Sequence, residues 1–139
     1  MNPKSLILLE FPKVLARLKS YASFSASESL AEALRPTSSL ENALQRQQET
    51  REARLLISIN DSISFQGAVD LQTLTDQTLH GMTLEASDLL AVRNTLILSR
   101  TARRVLLDNA ETAPTLAALA EDLSDGSGLI DQINRTISE

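Results

Sequence analysis

The stretch from Leu84 to Asn109 constrains the fold of this chain more than any other. Placed on a helix at 100° per residue, its apolar side chains point to almost every side of the axis. These side chains are Leu89, Leu90, Ala91, Val92, Leu96, Ile97, Leu98, Ala102, Val105 and Leu106. A helix that is apolar on most sides has to be covered by neighbours on most sides. The sequence therefore predicts a long central helix within a helical domain.

Composition supports this fold class and excludes several kinds of site. Of the 139 residues, 42% are hydrophobic but only 3% are aromatic, so the core has to consist of aliphatic side chains, as in helical bundles. Four glycines and four prolines are few for an all-β fold with many turns. The absence of cysteine excludes disulfides and thiolate metal sites, and the single histidine excludes a multi-histidine metal centre.

Helix start and stop signals divide residues 1–139 into the elements of one domain. Serines followed three residues later by glutamate, at Ser25 and Ser38, predict two capping boxes. Asp70 is predicted to cap a further helix, which Gly81 ends in the left-handed conformation. We expect an all-α, irregular bundle of six or seven helices around the central one, with one short extended segment near residues 62–66.

A stripe of arginines on the central helix is the first candidate functional surface. Arg93, Arg100, Arg103 and Arg104 fall within roughly a quarter to a third of the helix circumference. Such a stripe can hold nucleic-acid phosphates or pair with acids of a neighbouring domain. The alternative is a solvated face, or pairing with acids of the same domain.

A second candidate surface lies on the helix predicted to run from about Ser38 to Ile57. Its predicted buried stripe contains Gln47, Arg51 and Arg54 where a simple bundle would place leucine. Two interpretations stay open at this point. These residues are boundary positions whose aliphatic stems snorkel along the core, or they form an interface with another part of a larger protein.

No catalytic motif accompanies these surfaces. The sequence has no GxxxxGK[ST] loop for nucleotide phosphates. His80 is expected to be a residue favoured by the dipole at a helix C-terminus, and Asp76 is its one candidate partner. The net charge of −5 argues against a stand-alone nucleic-acid binder. The N-terminal apolar run is too short for a signal peptide or a membrane span, which predicts a cytoplasmic protein without membrane contacts.

Six short motifs, in order, resemble the second MutS family, the relatives of the mismatch-repair ATPase that act against recombination and in ribosome rescue. The motifs are LEFPKV at 9–14, YAS at 21–23 with LRP at 34–36, ETREA at 49–53, Gly67 with Asp70 and Leu71, the helix 89–104, and LIDQINRTI at 129–137. The resemblance covers nearly the whole chain. The connector before Gly67 departs from it by lacking a proline.

The resemblance implies that residues 1–139 are an N-terminal fragment of a longer MutS-like protein and form the first half of its core domain. It implies a DNA-binding, dimeric ATPase with lever and clamp helices, a P-loop that takes ATP and Mg²⁺, and a C-terminal Smr endonuclease. Branched DNA or stalled ribosomes would be its partners, in suppressing recombination or in ribosome quality control. No catalytic, cofactor-binding or metal residue of the family can be carried onto this segment, so we expect a non-enzymatic hub that relays the ATPase state to the gripping arms. Two alternatives are a helical homodimerisation module and a direct binder of DNA junctions or ribosomal RNA through the arginine stripe.

Overall fold

A computed structural model describes residues 3–59 and 63–137, and its regular elements are all helices. Their bounds are α1 Pro3–Leu8, α2 Phe11–Lys19, α3 Ser25–Ala33, α4 Leu40–Ile59, α5 Leu71–Leu79, α6 Ala86–Asp108, α7 Pro114–Glu121 and α8 Ser127–Ile137. The predicted all-α class and the long central helix are confirmed. No helix in the described part of the chain is long and apolar enough to cross a membrane.

The described residues contain eight helices, where six or seven were expected. Glu10 adopts a left-handed conformation, with φ of 53°, and so separates α1 from α2. The predicted short extended segment does not form a strand at 63–66, and residue 62 lies outside the described part of the chain. Gly67, with φ of 86°, instead closes a turn in which the Ala68 amide donates to the Phe65 carbonyl. Two alternating apolar residues without a neighbouring strand do not make a sheet.

The predicted helix signals are correct around α5 and displaced elsewhere. The Asp70 carboxylate accepts a hydrogen bond from the Gln72 amide, and Gly81 follows the helix with φ of 77°. At α4 the capping hydroxyl is that of Ser39, one residue after the predicted one. At α3, Ser25 is already helical, so it is not the cap.

The core forms where α6 packs on α7 and α8, and α7 packs on α4. Small and aliphatic side chains fill it, namely Leu56, Ala102, Val105, Ala113, Ala117, Ala120, Ile130 and Ile133. Alanines on α7 let the helix axes approach closely and leave no polar group to satisfy. The central helix is covered incompletely, since Ile97, next to the arc that carries the arginines, is 43% exposed.

Helices α1, α2 and α3 pack on one another, yet they leave apolar side chains open to solvent. Val14, Leu18 and Tyr21 have the spacing of core residues, but all three are exposed, and Tyr21 is 73% exposed. The whole chain has an accessible surface of 10,100 Å². A folded monomer of 15.2 kDa is expected to expose on the order of 7,100 Å². The fold therefore carries apolar surface that it does not cover itself.

Candidate interaction surfaces

The arginine stripe of α6 is divided between two environments. Arg93 donates to the Asn134 side chain on α8 at 3.2 Å and to the neighbouring Asn94 side chain at 3.3 Å. Arg100 forms an ion pair with Asp125, with 3.1 Å between Nε and Oδ1. These two arginines therefore hold α6 to α8 and to the loop that precedes it.

Asp125, in the loop before α8, is the acid that forms an ion pair with the arginine stripe within this domain. A hydrogen bond from the Ser127 hydroxyl, together with the charge of Arg100, lowers the pKa of Asp125 despite partial desolvation. Both members of the Arg100 ion pair are about half exposed. Solvent therefore screens the pair, and its contribution to the free energy of folding is small.

Arg103 and Arg104 are not held in this way. With Arg100, Asp108 and Asp125 they line an open cleft of about 670 Å³ on one side of α6. The Nε atoms of both Arg103 and Arg93 are buried without a hydrogen-bond partner among the described residues. Binding of nucleic acid or of another domain by the stripe stays a prediction.

The predicted interface on α4 faces away from the core. Gln47, Arg51 and Arg54 are all exposed and line one shallow groove of about 720 Å³. The prediction of a buried stripe here is wrong, because the side of α4 that packs on α7 carries Glu52 and Leu56. An interface through Gln47, Arg51 and Arg54 would therefore have to be made with another molecule or segment.

Glu52 is the structurally important residue that the sequence reasoning missed. It is 2% exposed and lies at the N-terminus of α7. Its Oε1 accepts hydrogen bonds from the Thr115 hydroxyl at 2.8 Å and from Gln48 at 2.9 Å, and its Oε2 accepts one from the Leu116 amide at 2.9 Å. Ala113 offers no side chain to cap α7, so a carboxylate from α4 does this instead.

The charge state of Glu52 follows from these contacts. Burial raises the pKa of its carboxyl group, but the hydrogen bonds from Gln48, Leu116 and Thr115 outweigh burial and lower the pKa overall. In the sequence, Gln48, Glu52 and Leu56 are spaced four residues apart, so they lie on one side of the helix. This spacing places the Glu52 carboxylate next to a leucine that belongs to the core. Glu52 is also the second glutamate of the ETREA motif.

His80 offers no catalytic arrangement. It is exposed just after α5, and its Nδ1 lies 2.6 Å from the backbone carbonyl oxygen of Asp76. In residues 3–59 and 63–137, no three His, Cys, Asp or Glu side chains form a group that could hold a metal ion.

The fold and its surfaces define a class of protein: an all-helical domain with one sealed core and several uncovered faces. Comparison with known proteins gives a closer assignment. Over 139 residues the chain is 32% identical to a Clostridium novyi protein and 31% identical to one from Symbiobacterium thermophilum, and over 142 residues it is 30% identical to one from Geobacillus kaustophilus. All three carry the name Endonuclease MutS2. No family model and no solved structure match the chain.

The resemblance to the second MutS family is thereby confirmed: the chain is similar to a segment of these proteins over 99% to 100% of its own length. It spans 17% to 18% of the length of these relatives.

Proposed function

We propose that this chain is a helical scaffold domain of a MutS2-like protein that acts on DNA. Similarity over the whole chain to relatives named Endonuclease MutS2 supports the family context. The observation that carries the scaffold role is the uncovered apolar surface of the α1–α3 segment. Leu8, Tyr21 and Leu30 are exposed there, and the main packing of these helices is of α2 on α1 and on α3. Contiguous apolar surface of this kind marks contact with another segment or partner.

In the whole protein, this scaffold would relay the state of an ATPase to the parts that grip DNA or ribosomes, in suppressing recombination or rescuing stalled ribosomes. Nucleotide binding and nuclease activity would reside in other segments of the whole protein, because the sequence of residues 1–139 contains no P-loop.

Hydroxyl-radical footprinting tests the scaffold role. The readouts are Tyr21, in the turn after α2, and Met82, after α5, both of which are exposed side chains that react with the radical. We expect Tyr21 to be labelled strongly in the 139-residue chain and to be protected in the full product of its gene. Equal labelling of Tyr21 in the two proteins, or a gene product that ends at Glu139, would contradict the proposal.

Homodimerisation is the second candidate function, because the same apolar faces could be covered by another copy. Light scattering over a wide range of protein concentrations decides this point. A mass that rises to that of a dimer, and that Leu30→Glu returns to the monomer, would favour the dimerisation module. A monomer at every concentration rejects it.

A further inference from the structure

We propose that the exposed face of α4 is a phosphate-binding groove that contacts the backbone of duplex DNA. The inference deepens the proposed function, since it rests on the DNA-acting role proposed above. It assigns the contact to α4, whose exposed face lies on the opposite side from Glu52 and the core.

The charges of α4 are separated around its axis. At 100° per residue, Arg46, Arg51 and Arg54 fall within about 140° of arc, and the acids Glu41, Glu49 and Glu52 fall within about 80° on the other side. Glu52 is buried against α7, which turns the arginine side outward. A helix with no net charge thus presents a face whose charged side chains are all arginines, beside the exposed apolar side chains of Leu40, Leu44 and Ile57.

The side chains that line the groove are almost all hydrogen-bond donors. Arg46, Arg51 and Arg54 supply guanidinium groups, and Gln47, Thr50 and Ser58 supply amide and hydroxyl donors. No carboxylate lines the groove. A phosphodiester only accepts hydrogen bonds, and arginine binds its oxygens through two parallel N–H groups. Donor chemistry and charge therefore both match a phosphate backbone.

Two of these arginines have no partner in the part of the chain that the structure describes. Arg46 donates to the carbonyl of Arg35 at 2.9 Å, which fixes its position. Neither Arg51 nor Arg54 makes an ion pair or a side-chain hydrogen bond with any residue of 3–59 or 63–137. In contrast, Arg93 and Arg100 on α6 are engaged within the domain.

The dimensions and composition of the groove favour duplex DNA over an acidic protein. Arg46 and Arg54 are separated by about 12 Å of helix axis, over which one strand of duplex DNA places three or four phosphates. Within the groove itself Leu55 is the one large apolar side chain, and the exposed Leu40, Leu44 and Ile57 lie outside its lining, so the groove offers no enclosed pocket for the apolar anchor of a protein partner. No aromatic residue lines the groove, so bases have nothing to stack on and the contact is independent of sequence.

The test measures fluorescence anisotropy of a labelled duplex of about 20 base pairs, at salt concentrations between about 50 and 200 mM. The variant is R51Q/R54Q, in which glutamine preserves helix propensity. The matched control is R17Q/R135Q, which removes the same charge from exposed positions on α2 and α8. Circular dichroism checks that all three proteins are equally helical.

We expect R51Q/R54Q to weaken duplex binding by about tenfold per arginine. The slope of log K against log salt should fall by about two, because two phosphate contacts are lost. The control should change affinity less than about twofold and leave the slope within about 0.5 of the wild type.

Three results would overturn the assignment. Equal weakening by both double variants would mean that only overall charge matters. Absence of duplex binding at the lowest salt would remove the site. Binding of labelled polyglutamate, but not of duplex, through Arg51 and Arg54 would make the groove a protein-docking surface. Because footprinting of Tyr21 reports on a different face, failure of the groove and failure of the scaffold role are distinguishable.

Discussion

The two halves of this molecule cover their apolar residues to different degrees. The half built from α4, α6, α7 and α8 encloses a core, although Leu40, Ile57 and Leu119 on it are exposed, whereas the described residues of α1–α3 bury only Ala31. In the half built from α4, α6, α7 and α8, alanines and short aliphatic chains are sealed between helices, and the one buried charge, Glu52, has three hydrogen-bond donors. In α1–α3, leucines and Tyr21 with the same spacing face solvent. Helical periodicity thus identifies the apolar side of a helix, but whether that side is buried depends on which other helices pack on it.

The largest expected effect comes from a pair of leucine substitutions, one in each half. Leu56 is 1% exposed in the core, and Leu30 is 73% exposed on α3. We expect Leu56→Ala to lower the free energy of unfolding by about 2–5 kcal/mol, because it leaves a cavity. Leu30→Ala should change it by less than about 0.5 kcal/mol. Urea denaturation measures both, and equal effects would abolish the distinction between the halves.

A second experiment addresses the carboxylate that joins α4 to α7. Glu52→Gln keeps the size of the side chain but places an amide where two acceptor oxygens meet the Leu116 amide and the Thr115 hydroxyl. We expect a loss of about 1.5–3 kcal/mol in the free energy of unfolding. Glu49→Gln is the matched control and should cost under about 0.5 kcal/mol, because among residues 3–59 and 63–137 the Glu49 carboxylate accepts a side-chain hydrogen bond only from Gln45. Similar losses in both variants would argue against the capping role.

The same residue predicts how stability depends on pH. The pKa of Glu52 is lower in the folded chain than its ordinary value. Its stabilisation is therefore fully present above the unfolded pKa, near about 4.3, and is lost as pH falls through the lower folded pKa. The difference in unfolding free energy between wild type and Glu52→Gln should be constant above about pH 6 and shrink in acid. A difference that grows in acid would contradict the assigned direction.

A smaller effect is expected at the turn that brings α8 onto α6. Gly126 has φ of 63°, and a Cβ placed there would lie 3.2 Å from the Leu96 side chain. We expect Gly126→Ala to cost about 1–2 kcal/mol through backbone strain, with crowding added. Gly67→Ala is the control, because it has a positive φ but no atom within 4 Å of its added Cβ. Thermal melts that rank Gly67→Ala as the more damaging would contradict this account of the turn.

The sequence predicted those features that depend on local pattern. The central helix followed from apolar residues on nearly all sides of 84–109, and Asp70 and Gly81 were recognised from rules that concern adjacent residues. Each of these features depends on contacts within a turn or two of the chain, or on burial that one helix requires by itself.

Features set by distant contacts were missed or misplaced. Glu52 caps a helix 63 residues further along, and no rule of local spacing reveals such a partner. The buried side of α4 was assigned to the stripe of Gln47, Arg51 and Arg54, because leucines occur at the same helical spacing. In the structure α7 packs on the opposite side of α4, and the sequence of α4 alone does not indicate this. The DNA-contacting role of either arginine surface remains a prediction.

Native-state hydrogen exchange tests the division of the molecule most directly. Amides in a sealed core exchange only through global unfolding, whereas those of loosely covered helices exchange through local opening of much lower free energy. We predict that the amides of α6 and α7 are the slowest and share the global free energy of unfolding, and that those of α1–α3 exchange by local opening well below it. Equal protection of α1–α3 and α6–α7 in the 139-residue monomer would contradict the account.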